Sequence, residues 1–486
     1  MDRHWFVLFL LSFAPLPIWS QDYVTPDQFA FTVDTDLVYG VDTNYLGSVD
    51  TLRLDLYKPI GNSDPRRPLL VMVHGGSWLG GCKNDPAGIV PMLQQFVKRG
   101  YVVASVNYRL GWHKDDFVPG PVAGFGITPW PEAYRSFYAL DSAEIKRAIF
   151  RGMQDVKGAI RWLKARAQQD STCVDKVMVG GESAGAFIAL ATAFLNAPSE
   201  KPTACAALPD APSPYGQVLN ATAFECDYQA FPVDPGMLVR PDLGPVEGVL
   251  NMNGYDASVR GVASFYGGVP WEAFDLDWLQ GPDTPAVYLY HQTCDGVVMH
   301  GKGKPMSTLS ANCNLGAYPW HYNYPDMYGS GAIKASFDAM IAPPEHTTDF
   351  EFCVPFDPNL SLIECPRYAN NGSYHFTNDH ALRATHLATF LEPLASDPGS
   401  CLNTSLRNGP KDTPPRLFPQ PANEVVFLTV PSPVQKVSFV DGQGRPCKEV
   451  LSPASGIDVH DLPSGPYLIM VTMGSEVRSA PCMIAH

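Results

Sequence analysis

The fold is decided by Val177-Met178-Val179-Gly180-Gly181-Glu182-Ser183-Ala184-Gly185. The apolar run at its start predicts a buried strand, and the apolar residues 186–194 that follow predict a helix. Between them, Gly-x-Ser-x-Gly predicts a strained turn from which the Ser183 hydroxyl projects, because side chains at Gly181 and Gly185 would collide with that turn. Ser183 is therefore the candidate nucleophile.

Other segments extend this pattern on both sides. Residues 69–73 and 101–106 are apolar throughout, as expected of strands covered on both faces. Residues 91–98 and 156–163 have helical spacing of apolar side chains. Strands that alternate with helices predict an α/β fold, with a mostly parallel sheet and helices on both of its faces.

A glycine-rich loop, His74-Gly75-Gly76-Ser77-Trp78, follows the apolar run 69–73. A serine that attacks a carbonyl group creates an oxyanion, which needs hydrogen-bond donors that are already in position. The backbone N–H groups of Gly75, Gly76 and Ala184 are the predicted donors, since they follow a strand and the nucleophile as the chemistry requires.

The acid and base are expected to follow the serine in the order acid, then histidine. Asp295 lies directly after the apolar run 286–290 and is the predicted acid. His375, in Gly372-Ser373-Tyr374-His375, is the predicted base. His380 is the alternative base, and it lies at the start of the next predicted helix.

These segments, with Asn107-Tyr108-Arg109-Leu110, resemble the carboxylesterase branch of the α/β-hydrolases from about residue 49 to residue 391. The resemblance implies an α/β-hydrolase sheet and ester hydrolysis through an acyl-enzyme, with no metal or other cofactor. The acid is Asp where the type-B carboxylesterases have Glu, and the catalytic domain is shorter than theirs. Two alternatives stay open: a serine peptidase of the same fold, and a non-catalytic surface binding protein.

The domain organisation follows from composition. We expect a signal peptide over residues 1–20, a catalytic domain over 21–400, a linker over 401–416 and a small all-β sandwich over 417–486. Two irregular insertions, about 112–138 and 197–245, interrupt the catalytic domain. The first is rich in aromatic residues and suits acyl chains, aryl groups and sugars alike, so both small-molecule and polysaccharide esters are candidate substrates.

The last domain carries Phe418-Pro419-Gln420-Pro421, then Gly444-Arg445, then residues 461–467. In this order, these motifs resemble the sorting domain of the type IX secretion system of Bacteroidetes-like bacteria. The resemblance implies export machinery as a partner and a protein that is secreted or held at the cell surface.

Charge and cysteine content bound the remaining possibilities. The 34 basic and 49 acidic residues give a net charge of −15, which disfavours binding to nucleic acid. Export implies an oxidising compartment, in which the 11 cysteines can form disulfides. Cys353 with Cys365, and Cys447 with Cys482, are candidate pairs, but the sequence leaves the connectivity open; no cysteine or histidine spacing matches a zinc site.

Overall fold

The structure is a computed structural model. It describes residues 21–113, 139–212, 217–220, 229–232, 237–270, 284–306, 323–353, 374–397, 401, 416–418, 422–429, 434–441, 445–451, 456–473 and 476–486. The predicted signal peptide, nearly all of the aromatic insertion and nearly all of the predicted linker lie outside these residues. The chain divides into two compact units, one reaching as far as Leu402 and the other formed by Asn403–His486 with Asn253–Asp256.

The first unit contains fifteen strands among its described residues. They are β1 (Phe31–Thr43), β2 (Val49–Pro59), β3 (Arg67–Val73), β4 (Val102–Val106), β5 (Thr172–Glu182), β6 (Leu208–Pro212), β7 (Gln217–Asn220), β8 (Gln229–Pro232), β9 (Met237–Arg240), β10 (Gly261–Phe265), β11 (Gly268–Pro270), β12 (Ala286–Gln292), β13 (Lys302–Gly303), β14 (Met327–Gly329) and β15 (His346–Glu351). Its helices are α1 (Val90–Val97), α2 (Ser142–Ala165), α3 (Ala167–Asp170), α4 (Ala184–Phe194), α5 (Ser330–Ala339) and α6 (His380–Ala395).

Eight of these strands form the central sheet, in the order β1-β2-β4-β3-β5-β10-β12-β15. Only β2 runs antiparallel to its neighbours β1 and β4. Every other neighbouring pair is parallel. The carboxyl ends of β3, β5, β12 and β15 therefore meet at one edge of the sheet, where the loops that follow these strands are brought together.

Each face of the sheet is covered by helices. Val71 and Val73 of β3 belong to the core that includes α2 and α4. Leu70 and Met72 belong to the opposite core, which includes α1 and α6. Alternate residues of β3 point to opposite faces of the sheet, and both faces are buried. Every residue from 69 to 73 is therefore apolar, which explains the continuous run in the sequence. The predicted fold class is confirmed.

The described part of the predicted insertion 197–245 packs against α2. Arg147 donates hydrogen bonds to the carbonyl oxygens of Ala204, Ala206 and Pro241. Gln154 donates to the carbonyl oxygens of Leu243 and Pro245. These contacts satisfy backbone groups of an irregular segment and bury polar residues of α2, so this part of the insertion is a wall over the helix.

The second unit has seven described strands: β16 (Arg416–Phe418), β17 (Val425–Thr429), β18 (Lys436–Asp441), β19 (Pro446–Leu451), β20 (Ile457–Asp458), β21 (Gly465–Met473) and β22 (Glu476–Ile484). They form two antiparallel sheets, β16-β17-β20 and β19-β18-β21-β22. Val426 and Ile457 of the first sheet share one buried core with Phe439 and Ile469 of the second. This arrangement agrees with the predicted β-sandwich.

The structure forms neither of the two candidate cysteine pairs. Cys353 is bonded to Cys294 rather than to Cys365, and a second disulfide joins Cys173 to Cys401. The strands β12 and β15 are neighbours, and each cysteine lies two residues beyond the paired ends of these strands, which places them side by side. Cys447 and Cys482 remain thiols, because β19 and β22 are at opposite edges of their sheet.

None of the helices in the described parts of the chain has the length and apolar character needed to cross a membrane.

Candidate active site

Ser183 lies at the turn between β5 and α4, with backbone angles of φ 51° and ψ −123°. A positive φ at a residue other than glycine costs about 1–3 kcal/mol, which the surrounding packing must offset. A Cβ atom on Gly181 would lie 2.3 Å from the carbonyl oxygen of Gly185, and one on Gly185 would lie 2.2 Å from that of Val73. Both glycines are therefore required for the turn that presents the Ser183 side chain.

The strand order of the central sheet, the reversed β2 and the serine turn directly after β5 together define one architecture. The chain has the α/β-hydrolase fold. In such open sheets, functional groups gather beyond the carboxyl ends of the strands. Asp295 follows β12 there, and His375 lies between β15 and α6.

The structure brings Ser183, His375 and Asp295 together in one hydrogen-bonded chain. The Nε2 atom of His375 lies 2.7 Å from Oγ of Ser183, and its Nδ1 atom lies 2.7 Å from Oδ2 of Asp295. Because a carboxylate only accepts hydrogen bonds, Nδ1 carries the proton and Nε2 accepts from the serine hydroxyl. His380 begins α6, five residues later, and no hydrogen bond joins it to Ser183 or Asp295.

Asp295 is fully enclosed and accepts four hydrogen bonds. Oδ1 accepts from the backbone N–H groups of Val297 and Val298, at 2.8 and 3.0 Å. Oδ2 accepts from His375 and from a second histidine, His291, at 3.1 Å. Burial alone would raise the pKa of Asp295, but the charge of His375 and the hydrogen bonds of both histidines outweigh burial and lower it. The carboxyl group is therefore held in its charged form.

Donors for an oxyanion lie around the Ser183 hydroxyl. Ala184 is the first residue of α4, so its N–H is one of the groups that a helix leaves without an internal partner. The loop carrying Gly75 and Gly76 is adjacent, since a Cβ on Gly75 would lie 3.2 Å from Cβ of Ser183. The Gly75 N–H, however, interacts with the Glu182 carboxyl group, and this contact competes with its predicted role.

Glu182 and Tyr266 form a hydrogen-bonded pair next to the loop that carries His375. The edge of the His375 ring meets the Tyr266 ring, with centroids 4.6 Å apart. The Tyr266 hydroxyl donates to Glu182 at 3.1 Å and accepts from Thr377 at 3.3 Å. Burial raises the pKa of the Glu182 carboxyl. The residue next to the nucleophile is thus connected, through one tyrosine, to the loop that carries the base.

A second group of side chains ties the same loop to β12 and β15. Glu351, at the end of β15, accepts hydrogen bonds from Tyr290, Gln292 and Asn378. Asn378 lies three residues after His375, so these bonds fix the end of the loop. The His375 ring is consequently held by its surroundings as well as by Asp295.

A small cavity that is open to solvent lies beside Ser183. Its lining is mostly apolar and aromatic, and it comes from the glycine-rich loop, from α4, from the loop after β12, from the residues after β13 and from the segment before β14. The lining residues are Ser77, Trp78, Ser183, Ala184, Phe187, Val297, Val298, Pro305, Met306 and Tyr324. The surface next to the serine is therefore mostly hydrocarbon, which suits an apolar part of a substrate.

The residues described offer one cluster with metal-ligand spacing, formed by Cys173, Asp175 and Cys401. The two cysteines are joined in a disulfide, so neither provides a thiolate ligand. This cluster is therefore a poor fit for a metal ion.

Several residues of the site were not predicted from the sequence. His291 lies four positions before Asp295, and Glu182 occupies the variable position of the serine motif, so both are close in sequence to predicted site residues. Tyr266 and Glu351 carry no local signal. Their roles depend on which strands are neighbours, and this becomes apparent only in the folded sheet.

Known proteins resemble parts of this chain. The BD-FAE family model matches residues 54–122. The carboxylesterase patB of Penicillium expansum is 28% identical over 179 residues, which cover 32% of this chain and 28% of that protein. The chain thus spans less than a third of the length of the curated relative that it matches.

Solved structures with a similar course of the chain include two esterases. A truncated carbohydrate esterase from gut microbiota is 14% identical, with a TM-score of 0.38 over 75% of this chain and 97% of that one. Apo esterase 2 of Thermogutta terrifontis is 15% identical, with a TM-score of 0.40 over 74% of this chain and 94% of that one. The fold assignment itself rests on the strand order described above.

Proposed function

We propose that this protein is a carboxylic-ester hydrolase that acts through an acyl-enzyme. The observation that carries the proposal is the hydrogen-bonded chain from Ser183 through His375 to Asp295, on the turn after β5. The similarity of part of the chain to a carboxylesterase supports the same conclusion. A nucleophile, a base and a group that orients the base are the parts that acyl transfer requires.

In the acylation step, the Ser183 oxygen attacks the ester carbonyl carbon while Nε2 of His375 takes its proton. The carbonyl π electrons move to oxygen, and this oxyanion is bound by the N–H groups of Ala184 and Gly76, while Gly75 holds Glu182. Asp295 stays ionised and stabilises the imidazolium that forms. When the tetrahedral intermediate collapses, the bond to the alcohol oxygen breaks and His375 returns its proton to the leaving alcohol.

Deacylation repeats these steps with water. His375 takes a proton from a water molecule, whose oxygen attacks the acyl carbon on Ser183. The second tetrahedral intermediate releases the carboxylic acid, and the proton returns to the serine oxygen. Substrate and water are the only reactants that this cycle consumes.

The cavity beside Ser183 favours esters with a compact apolar group. Phe187, Val298 and Met306 line it with hydrocarbon surface and offer no side-chain charge. Burying each CH₂ group of a substrate in such a site contributes about 0.8 kcal/mol. Only the CH₂ groups that lie between these side chains gain this energy. We therefore propose that short acyl or aryl esters are hydrolysed faster than long-chain ones.

Hydrolysis of p-nitrophenyl esters whose acyl chains have two to twelve carbons tests this function. The Ser183→Ala variant should lose at least about 1,000-fold in kcat. Ser336→Ala changes a half-buried serine on α5 and is the matched control, with activity expected to equal that of the unaltered protein. A folded protein without activity on any ester, or activity that survives in Ser183→Ala, would contradict the proposal.

We further propose that the second unit directs export through a type IX secretion system, with residues 1–20 as the signal for the first membrane. The motifs at residues 418–421, 444–445 and 461–467 support this role. The full chain, and a chain ending at Leu402, would be expressed in a bacterium that has this system, and esterase activity would be measured in the medium. Equal release of both chains would contradict the proposal.

A further inference from the structure

A second histidine, His291, contacts the same carboxylate oxygen as His375. It is the sixth residue of β12, and neither its side chain nor that of Asp295 is exposed to solvent. Its Nε2 atom lies 3.1 Å from Oδ2 of Asp295 and 3.1 Å from the carbonyl oxygen of Val298. Its Nδ1 atom lies 2.9 Å from Oγ of Ser330, which is also fully buried.

The partners of His291 determine which ring nitrogen carries the proton. The carbonyl oxygen of Val298 can only accept, so Nε2 is protonated and its N–H is shared between Val298 and Asp295. In the neutral ring, Nδ1 then accepts from the Ser330 hydroxyl. Ser330 is the first residue of α5, which gives this hydroxyl a fixed position. The Val298 carbonyl thus sets the tautomer of His291, and the Ser330 hydroxyl holds the ring from its other nitrogen.

We infer that His291 is a positioning residue for the reaction, aiming Oδ2 of Asp295 at Nδ1 of His375 and taking up part of its negative charge. This inference rests on the proposed function. His291 closes the loop from Asp295 to Val298 by binding both of its ends. It touches neither Ser183 nor the cavity beside it, so its effect on the reaction passes through Asp295.

Removing this donor has two physical consequences. The Asp295 carboxylate is left with three hydrogen bonds and can rotate away from His375, and a misplacement of about 1 Å in a catalytic group costs on the order of 100-fold in rate. The negative charge also falls more fully on His375, which favours its protonated form. Among the described residues, His300 also faces His291, with the two ring centroids 5.4 Å apart.

Two substitutions of His291 test whether its hydrogen bond to Asp295, rather than the imidazole ring itself, is what the reaction needs. In His291→Gln, the amide nitrogen takes roughly the position of Nε2 and still donates to Asp295. In His291→Asn, the shorter side chain reaches only toward Ser330. We expect His291→Asn to lower kcat on p-nitrophenyl acetate about 10- to 100-fold, with KM within about 2-fold. The acid limb of the kcat/KM profile should move to higher pH, and His291→Gln should recover kcat to within about 5-fold.

The controls keep the outcomes distinct. His460→Asn alters an exposed histidine of the second unit and should leave every parameter unchanged. If His291→Asn does not fold, Ser330→Ala provides the test, because it removes the hydrogen bond that holds the His291 ring at Nδ1 and should lower kcat a few-fold with the same shift of the acid limb. A folded His291→Asn, or Ser330→Ala in its place, with unaltered kcat and pH profile would overturn the inference. So would His291→Gln matching His291→Asn. Activity that survives in Ser183→Ala would instead overturn the proposed function.

Discussion

Gly185→Ala tests how closely the nucleophile turn fits against the glycine-rich loop. The added Cβ atom would lie 2.2 Å from the carbonyl oxygen of Val73 and 2.5 Å from that of His74. Cβ atoms essentially never approach backbone atoms closer than 3.0 Å, so the two segments must separate by about 0.8 Å. This separation moves the Ser183 hydroxyl away from the Gly76 N–H, and a displacement of that size lowers kcat about 100-fold.

The assay is steady-state hydrolysis of p-nitrophenyl acetate, with thermal unfolding to establish that the variant folds. Gly301→Ala is the matched control, because no atom lies within 4 Å of its added Cβ, and its kcat should stay within about 2-fold of the unaltered value. A folded Gly185→Ala protein with kcat within about 3-fold would refute the reasoning, since it would mean that the turn adapts without moving the nucleophile.

Three further measurements address stability, pH and specificity. Replacing Cys294 and Cys353 by serine removes a bond across 59 residues next to the acid loop, and urea unfolding should show a loss of about 2–4 kcal/mol; a loss under about 1 kcal/mol would contradict this. Burial lowers the pKa of His74 to about 4 and that of His113 to about 3. Because the unfolded chain takes up these protons first, below about pH 6.5, the free energy of unfolding should fall by about 2 kcal/mol per histidine between pH 7.5 and pH 5. An unchanged value at pH 5 would be inconsistent with these buried neutral rings. Phe187→Leu enlarges the cavity beside Ser183 and should raise the relative rate on esters with longer acyl chains. An unchanged chain-length profile would show that Phe187 does not limit the length of the acyl chain.

The central sheet was predictable because its strands are buried on both faces. That burial makes runs such as residues 69–73 apolar at every position, and it leaves a signal that needs no knowledge of neighbours. The turn at Ser183 was predictable for a similar reason. Gly181 and Gly185 are required because the turn leaves no room for a Cβ atom, and both lie within the same nine-residue stretch of sequence. Burial and steric requirements that arise within one short segment can therefore be recognised from the sequence of that segment.

Contacts between distant segments left no such signal. The pairing of Cys294 with Cys353 depends on β12 and β15 being neighbours, which the spacing of the cysteines does not reveal. The contact of His291 with Asp295 also requires the loop to turn back on itself, and histidine in an apolar strand is equally compatible with a structural role. The aromatic insertion 112–138 lies almost entirely outside the described residues, so its role as a wall of the substrate site stays a prediction.

The central claim is that Ser183 is a nucleophile activated by His375 and Asp295. The most direct test is to treat the protein with a fluorophosphonate and locate the adduct by peptide mass spectrometry. We predict one adduct per chain, on Ser183, with a labelling rate that falls at least about 100-fold in His375→Ala. Labelling of a different residue, or equal labelling rates in the two proteins, would contradict the claim.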